Sequence, residues 1–230
     1  MKKISILLAL SALIITSCKN KSNIEYKYED NPDLFVCESI NMNLIKEALY
    51  AFEDYIEKHY SFQNPKSVEQ GYFYYWEIAK TDRIPAVEFI NTHVLSVRDE
   101  LKKIDDLWII KNEKTTLNYK HPLLKCLGSF MIDPDMKRTY NVLIDSNTFK
   151  EEVFLALLKR DPKAIQNDRA LATYLSLDSF YARILALDFS KLEELKKINE
   201  NRFRKKQDLL IQQEMENIKN GQLIPIDSLK

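Results

Sequence analysis

Val87-Glu88-Phe89-Ile90-Asn91-Thr92-His93-Val94-Leu95-Ser96-Val97-Arg98-Asp99-Glu100-Leu101-Lys102-Lys103-Ile104 decides the fold class. Val87, Ile90, Val94, Val97, Leu101 and Ile104 recur at alternating three- and four-residue spacings. That period places all six on one face of a helix and would scatter them over both faces of a strand. Pro85, preceded by Asp82, suits the first turn of this helix. A stripe this regular predicts antiparallel neighbours packed as in a helical bundle.

On the N-terminal side, Ile45, Ala48, Leu49, Phe52, Tyr55 and Ile56 predict a helix over 41–59, whose other face carries Lys46, Glu53, Asp54 and Lys58 toward water. Ser67 and Gln70 form a capping box that opens a second helix. This helix passes through Tyr72-Phe73-Tyr74-Tyr75-Trp76, five aromatics that point all round it. On the C-terminal side, Leu107-Trp108-Ile109-Ile110 either ends the third helix or forms a short buried strand, a small hairpin being the less favoured alternative, and 121–128 reads as a helical turn or two. Helical spacing resumes at Asp135, and a second capping box, Thr148 with Glu151, precedes Val153, Phe154, Leu157 and Leu158. Asp161-Pro162 restarts the chain as cap and first helical residue. An apolar helix or helix pair follows over 167–189.

Ser190 with Glu193 opens a last helix, dense in charge, that ends at Asn220-Gly221 with the glycine as C-cap. Its Glu193–Lys197 and Glu200–Arg204 pairs are spaced to support it, while Phe203, Leu209, Leu210, Ile211, Met215 and Ile218 form only a ragged apolar seam. The expected fold class is therefore all-α: a multi-helix, bundle-like domain with a long charged C-terminal helix.

The chemistry-bearing residue types are sparse and scattered. With Gly71, Gly128 and Gly221 its only glycines, the chain has no phosphate-cradling P-loop and no dinucleotide fingerprint, both of which need several glycines within a few residues. His59, His93 and His121 lie outside any H-E-x-x-H or E-x-x-H spacing, so no metal and no cofactor is expected. Glu53, Asp54, Glu57 and His59 are the densest titratable cluster on one helix; Glu53 and Glu57 share a face, as paired carboxylates for acid and base work would, but the cluster reads as a solvated surface. His121 and Cys126 are too close along a turn to need to face one another as base and nucleophile. No catalytic residue is assigned.

Two features point to binding. Tyr72, Tyr74, Tyr75 and Trp76 are expected mainly in the core, with one or two of the tyrosines left at the surface, where ring faces stack on sugars, peptides or cations. Arg202, Arg204, Lys205 and Lys206 form a basic cluster on the last helix that suits an acidic protein or anionic headgroups.

The chain opens with Met1-Lys2-Lys3, an apolar run over 4–15, and then Thr16-Ser17-Cys18. This resembles the lipobox of bacterial lipoprotein signal peptides, with Ile15 where leucine is usual. The resemblance implies a cleaved leader over 1–17, diacylglyceryl on the Cys18 thiol and frequent acylation of the new amine, giving two or three chains and an effectively permanent anchor. It extends no further than the leader. Lys19, not an acidic residue, follows the cysteine and is compatible with onward sorting to an outer membrane.

The expected organisation is a lipidated flexible tether over 18–37, a helical domain over 38–189, the charged helix over 190–220 and a tail over 221–230. Without Lys2 and Lys3 the mature chain balances 32 basic against 34 acidic side chains, net −2, which argues against a nucleic-acid partner. Cys37 and Cys126 then face an oxidising compartment, either paired or as two separate buried thiols.

The expected function is a binding or scaffold module held at the cell envelope, contacting the membrane through Cys18 and a protein or envelope component through its surface. The alternatives are a hydrolase of envelope polymers using carboxylates from separate helices, and a small-ligand binder built on the aromatic run.

Overall fold

The computed structural model describes residues 24–79, 87–112, 114–146 and 162–191, together with the isolated positions 194, 197, 201 and 212. The leader, Cys18, the capping box at Thr148 and Glu151, the basic cluster Arg202 to Lys206 and the tail over 221–230 lie outside the described residues.

The described chain is mostly helical, with one small two-stranded sheet. Helix α1 (Met42–Tyr60) starts where the Asn41 side chain accepts from Leu44 N–H. Helix α2 (Val68–Ala79) runs back along it. The two backbones touch at Gly71, where a Cβ would lie 2.8 Å from the Ile56 carbonyl carbon. Only glycine allows that approach. The capping box at the start of α2 is half realised: Ser67 Oγ accepts from Gln70 N–H, but the Gln70 amide turns outward and takes Ser61 Oγ–H and Gln63 N–H instead.

Helix α3 (Thr92–Leu101) is shorter than the stripe implies. Val87–Phe89 is a 3₁₀ turn, and Asn91 then caps α3 by accepting from Val94 N–H. A strong cap inside the stripe thus overrides its continuity. Val87, Val94, Val97 and Leu101 are nonetheless buried, so the apolar register holds across the break.

Strands β1 (Trp108–Lys111) and β2 (Lys114–Leu117) form an antiparallel hairpin with Trp108 opposite Leu117. The strand and the small hairpin weighed for this region are present, and the readings as a helix end and as a buried strand are corrected. The segment is neither helix end nor buried strand, since Ile109 and Ile110 are exposed, and only Leu107 and Leu117 are fully sunk in the core. Asn112 at the turn has φ 50°, a left-handed conformation that asparagine tolerates well.

Helices α4 (Pro122–Phe130) and α5 (Pro134–Asp145) each begin with cap and proline, His121-Pro122 and Asp133-Pro134. Helix α6 (Pro162–Asn167) leads to α7 (Arg169–Leu175), capped by Asp168. The run continues through a π-helical segment, Ser176–Tyr181, into α8 (Ala182–Leu185). There Ser176 and Ser179 hydroxyls donate to the carbonyls of Thr173 and Leu175, loosening the helical ladder. Phe180 and Tyr181 are both fully buried. Ser190 lies in a 3₁₀ turn, Phe189–Lys191, with its amide and hydroxyl both donating to Asp188.

Helix α1 is central: it touches α2, α3, α7 and the π segment. Rings of Phe52, Tyr55, Tyr75 and Phe180 meet around it at centroid distances of 4.9 to 6.3 Å.

The expected tether requires correction from residue 24 onward. Ile24 and Cys37 are buried, and Tyr26, Tyr28, Leu34 and Phe35 pack against the core. The segment crosses α1 as a strap, because its apolar side chains gain more by burial than a hydrated linker would.

Candidate functional site

The strap creates the first polar cluster. Glu47, almost fully buried on α1, accepts from Lys27 N–H at 2.7 Å and Tyr28 N–H at 3.1 Å, while His93 Nε2 on α3 lies 2.7 Å from its Oε1. Lys46 Nζ donates to the Glu29 carbonyl and to Asp33 Oδ1, and Tyr50 OH donates to the Pro32 carbonyl. A cleft of about 120 Å³ remains between strap and helix, lined by Tyr26, Tyr28, Asn43, Lys46 and Glu47 among others. Burial, with Asp54 and Glu47 nearby, pushes the Tyr28 phenol well above its ordinary range, so it stays neutral. These groups hold the strap down.

A second cluster lies farther along α1. Arg169 of α7 grips Glu53 with two hydrogen bonds, Nη1 to Oε1 at 2.6 Å and Nη2 to Oε2 at 3.0 Å, and Tyr72 OH donates to the same carboxylate at 2.9 Å. Burial opposes the Arg169 charge, but the hydrogen bonds and the negative charge of Glu53 outweigh it and raise the guanidinium above its ordinary value. The guanidinium also sits 4.9 Å above the Tyr50 ring. Glu53 is therefore a buried ion-pair partner, which corrects its reading as part of a solvated face. Lys46 is corrected likewise, and Asp54 does pair with Lys58 at the surface.

The aromatic run divides by helical phase. Tyr72, Tyr75 and Trp76 are buried, Tyr75 OH donating to the Ser179 carbonyl across the core. Burial raises both the Tyr72 and Tyr75 phenols, so each serves as a neutral donor. As binding residues these three are corrected to core. The outer side carries Phe73, 46% exposed, and half-buried Tyr74, and the loop after α1 adds Phe62, 69% exposed. Phe62 and Phe73 each meet Tyr74 edge to face, at 5.0 and 5.1 Å. The loop bearing Phe62 is fixed by the Ser61, Gln63, Ser67 and Gln70 hydrogen bonds. The result is an ordered three-ring ladder with both phenylalanines exposed on either side of half-buried Tyr74.

Cys37 and Cys126 form a disulfide that fastens the strap to α4. His121 faces its own helix: Nδ1 accepts from Leu123 N–H as the α4 cap, and burial lowers its pKa below the ordinary value. Among the described residues no group of three or more His, Cys, Asp or Glu side chains is placed to hold a metal ion.

Glu47, His93, Arg169 and Phe62 were not singled out by their sequence context. Tyr26 and Tyr28 were the available signal for the strap, since paired aromatics beside Ile24 are unusual in a solvated linker. Comparison with known proteins gives no relative: no protein-family model, no curated protein and no solved structure matches this chain.

Proposed function

We propose that this protein is a lipid-anchored binding module of the cell envelope, held to a membrane, an outer membrane where the host has one, through Cys18. It engages a protein or envelope component at the ladder Phe62, Tyr74 and Phe73. The observation that carries this reading is the ladder itself: large rings left in water yet held rigid, the arrangement that makes aromatic anchors effective at interfaces. The disulfide supports an oxidising, exported location. Glu53, the carboxylate weighed for acid and base work, is committed to Arg169 and Tyr72, which favours binding over hydrolysis.

In this reading the helices pack as a bundle-like domain. The charged segment 190–220 is a helix whose Arg202, Arg204, Lys205 and Lys206 supply a second, basic contact; positions 194, 197, 201 and 212 are helical and exposed.

The test is a photocrosslinker at Tyr74 in the cells that make the protein, alone and with Phe62→Ser and Phe73→Ser. The expected result is a discrete adduct that the serine changes abolish while leaving the melting temperature unchanged. An adduct indifferent to both substitutions counts against the ladder.

A further inference from the structure

Tyr74 meets two rings at steep angles, Phe62 at 71° and Phe73 at 86°. Each pair makes an apolar corner, and the two corners share Tyr74. Phe62 and Phe73 make no ring contact with each other among the described residues, and their centroids are at most about 10 Å apart, against roughly 9 Å for one turn of a polyproline II helix. Side chains one turn apart on such a helix can seat one in each corner.

The polar groups beside the rings narrow the ligand further. Gln70 Oε1 already accepts from Ser61 Oγ–H and Gln63 N–H, and Gln63 Oε1 accepts from Gln70 Nε2. What the two amides leave over is chiefly N–H, on Gln63 Nε2 and the second hydrogen of Gln70 Nε2. Tyr74 is half-buried, yet its hydroxyl makes no hydrogen bond among the described residues. A sugar brings hydroxyl donors that need acceptors, whereas a run of prolines brings carbonyl acceptors and no N–H. The uncommitted acceptors nearby are the exposed side chains of Asn64 on the loop and of Glu69, one turn before Phe73 and without an ion pair among the described residues. Lys66 Nζ is committed to the Lys58 carbonyl, so the free charge of Glu69 calls for a cation.

Resting on the ladder as the proposed contact site, we infer that its occupant is a proline-rich segment of a partner protein in the polyproline II conformation. Its prolines seat in the two corners, its carbonyls accept from Tyr74 OH and Gln63 Nε2, and a lysine or arginine at one end meets Glu69. Such a segment is extended before it binds, so little ordering opposes the contact.

The test is fluorescence anisotropy with the full chain in detergent micelles and two labelled proline-rich peptides, one with an arginine at its N-terminal end and one with it at its C-terminal end. The same peptides with alanine for proline, and a soluble N-acetylglucosamine oligosaccharide, are the comparisons. The expected result is binding of the proline peptides that Phe62→Ser and Phe73→Ser each weaken about tenfold and Tyr74→Phe, which loses only the hydroxyl, about threefold, with melting temperatures unchanged. One orientation binds more tightly, and Glu69→Gln removes that difference. Equal binding of the alanine peptides, or binding that the serine changes leave alone, overturns the proline-rich ligand; ladder-dependent capture of the oligosaccharide in place of the peptides overturns it in favour of a glycan. The crosslink at Tyr74 in cells separates this inference from the reading beneath it. Unbound peptides with a serine-sensitive adduct retained remove only the proline-rich ligand, whereas the loss of both removes the ladder as a contact site.

Discussion

Glu53 shows how one residue can be legible in type and misread in place. It sits on the charged side of α1 in sequence, but α7 covers that side and brings Arg169 with it, a juxtaposition across 116 residues that no local pattern announces. Removing one partner leaves the other charge buried and uncompensated, so Arg169→Leu is expected to destabilise the fold by about 3 kcal/mol, and Glu53→Leu/Arg169→Leu by less than the two single changes together. Urea denaturation of the four chains measures this, and strictly additive losses would show that the pair is not coupled. His121 gives a prediction in pH. Its folded pKa is depressed by burial, so its contribution is fully present above the unfolded value of about 6.5 and is lost as pH falls through it toward the folded value. His121→Asn keeps a capping side chain but has nothing to titrate. The difference in urea midpoint between pH 7.5 and pH 5.5 should therefore be smaller in His121→Asn than in the parent, and an equal difference would remove His121 from the acid response.

Elements were readable wherever caps and periodicity agreed. Helix α1 begins beside Asn41 and α6 at Pro162, where the sequence places them, and the helical turns expected over 121–128 fall in α4. Sequence and structure part where two local signals compete. Asn91 caps α3 inside an otherwise unbroken stripe, and Trp108-Ile109-Ile110, apolar enough for a core strand, pairs in a hairpin with its isoleucines outward. The strap is the segment least legible in sequence, because its irregular backbone has no period and its burial depends on α1. The disulfide is the covalent part of that docking. It closes a separation of 89 residues, so Cys37→Ser/Cys126→Ser is expected to lose about 4 to 5 kcal/mol in the chain-entropy account. The strap's other contacts to Glu47, Lys46 and Tyr50 should keep the folded state recognisable by far-UV circular dichroism. An unchanged urea midpoint in the double variant would mean that the strap is secured without the bond.

At the scale of the whole molecule, the proposed address rests on the sequence alone and the surface on the packed helices. The opening residues resemble a lipoprotein leader and carry the proposed address, whereas the ladder joins Phe62 from a loop to Phe73 and Tyr74 from α2 and becomes visible only once α2 packs back along α1, touching it at Gly71. The aromatic run revealed its composition in sequence, but the helical phase that buries Tyr72, Tyr75 and Trp76 and exposes Phe73 is set by the partners those rings find. The proposed function depends on Cys18 holding this domain close to a bilayer. Intact-mass spectrometry of the protein extracted from its own membranes tests that most directly. The account predicts a mature chain that begins at Cys18 and carries diacylglyceryl on it, with or without a further acyl chain on the amine; a chain with an unmodified Cys18, or one cleaved elsewhere, would contradict it.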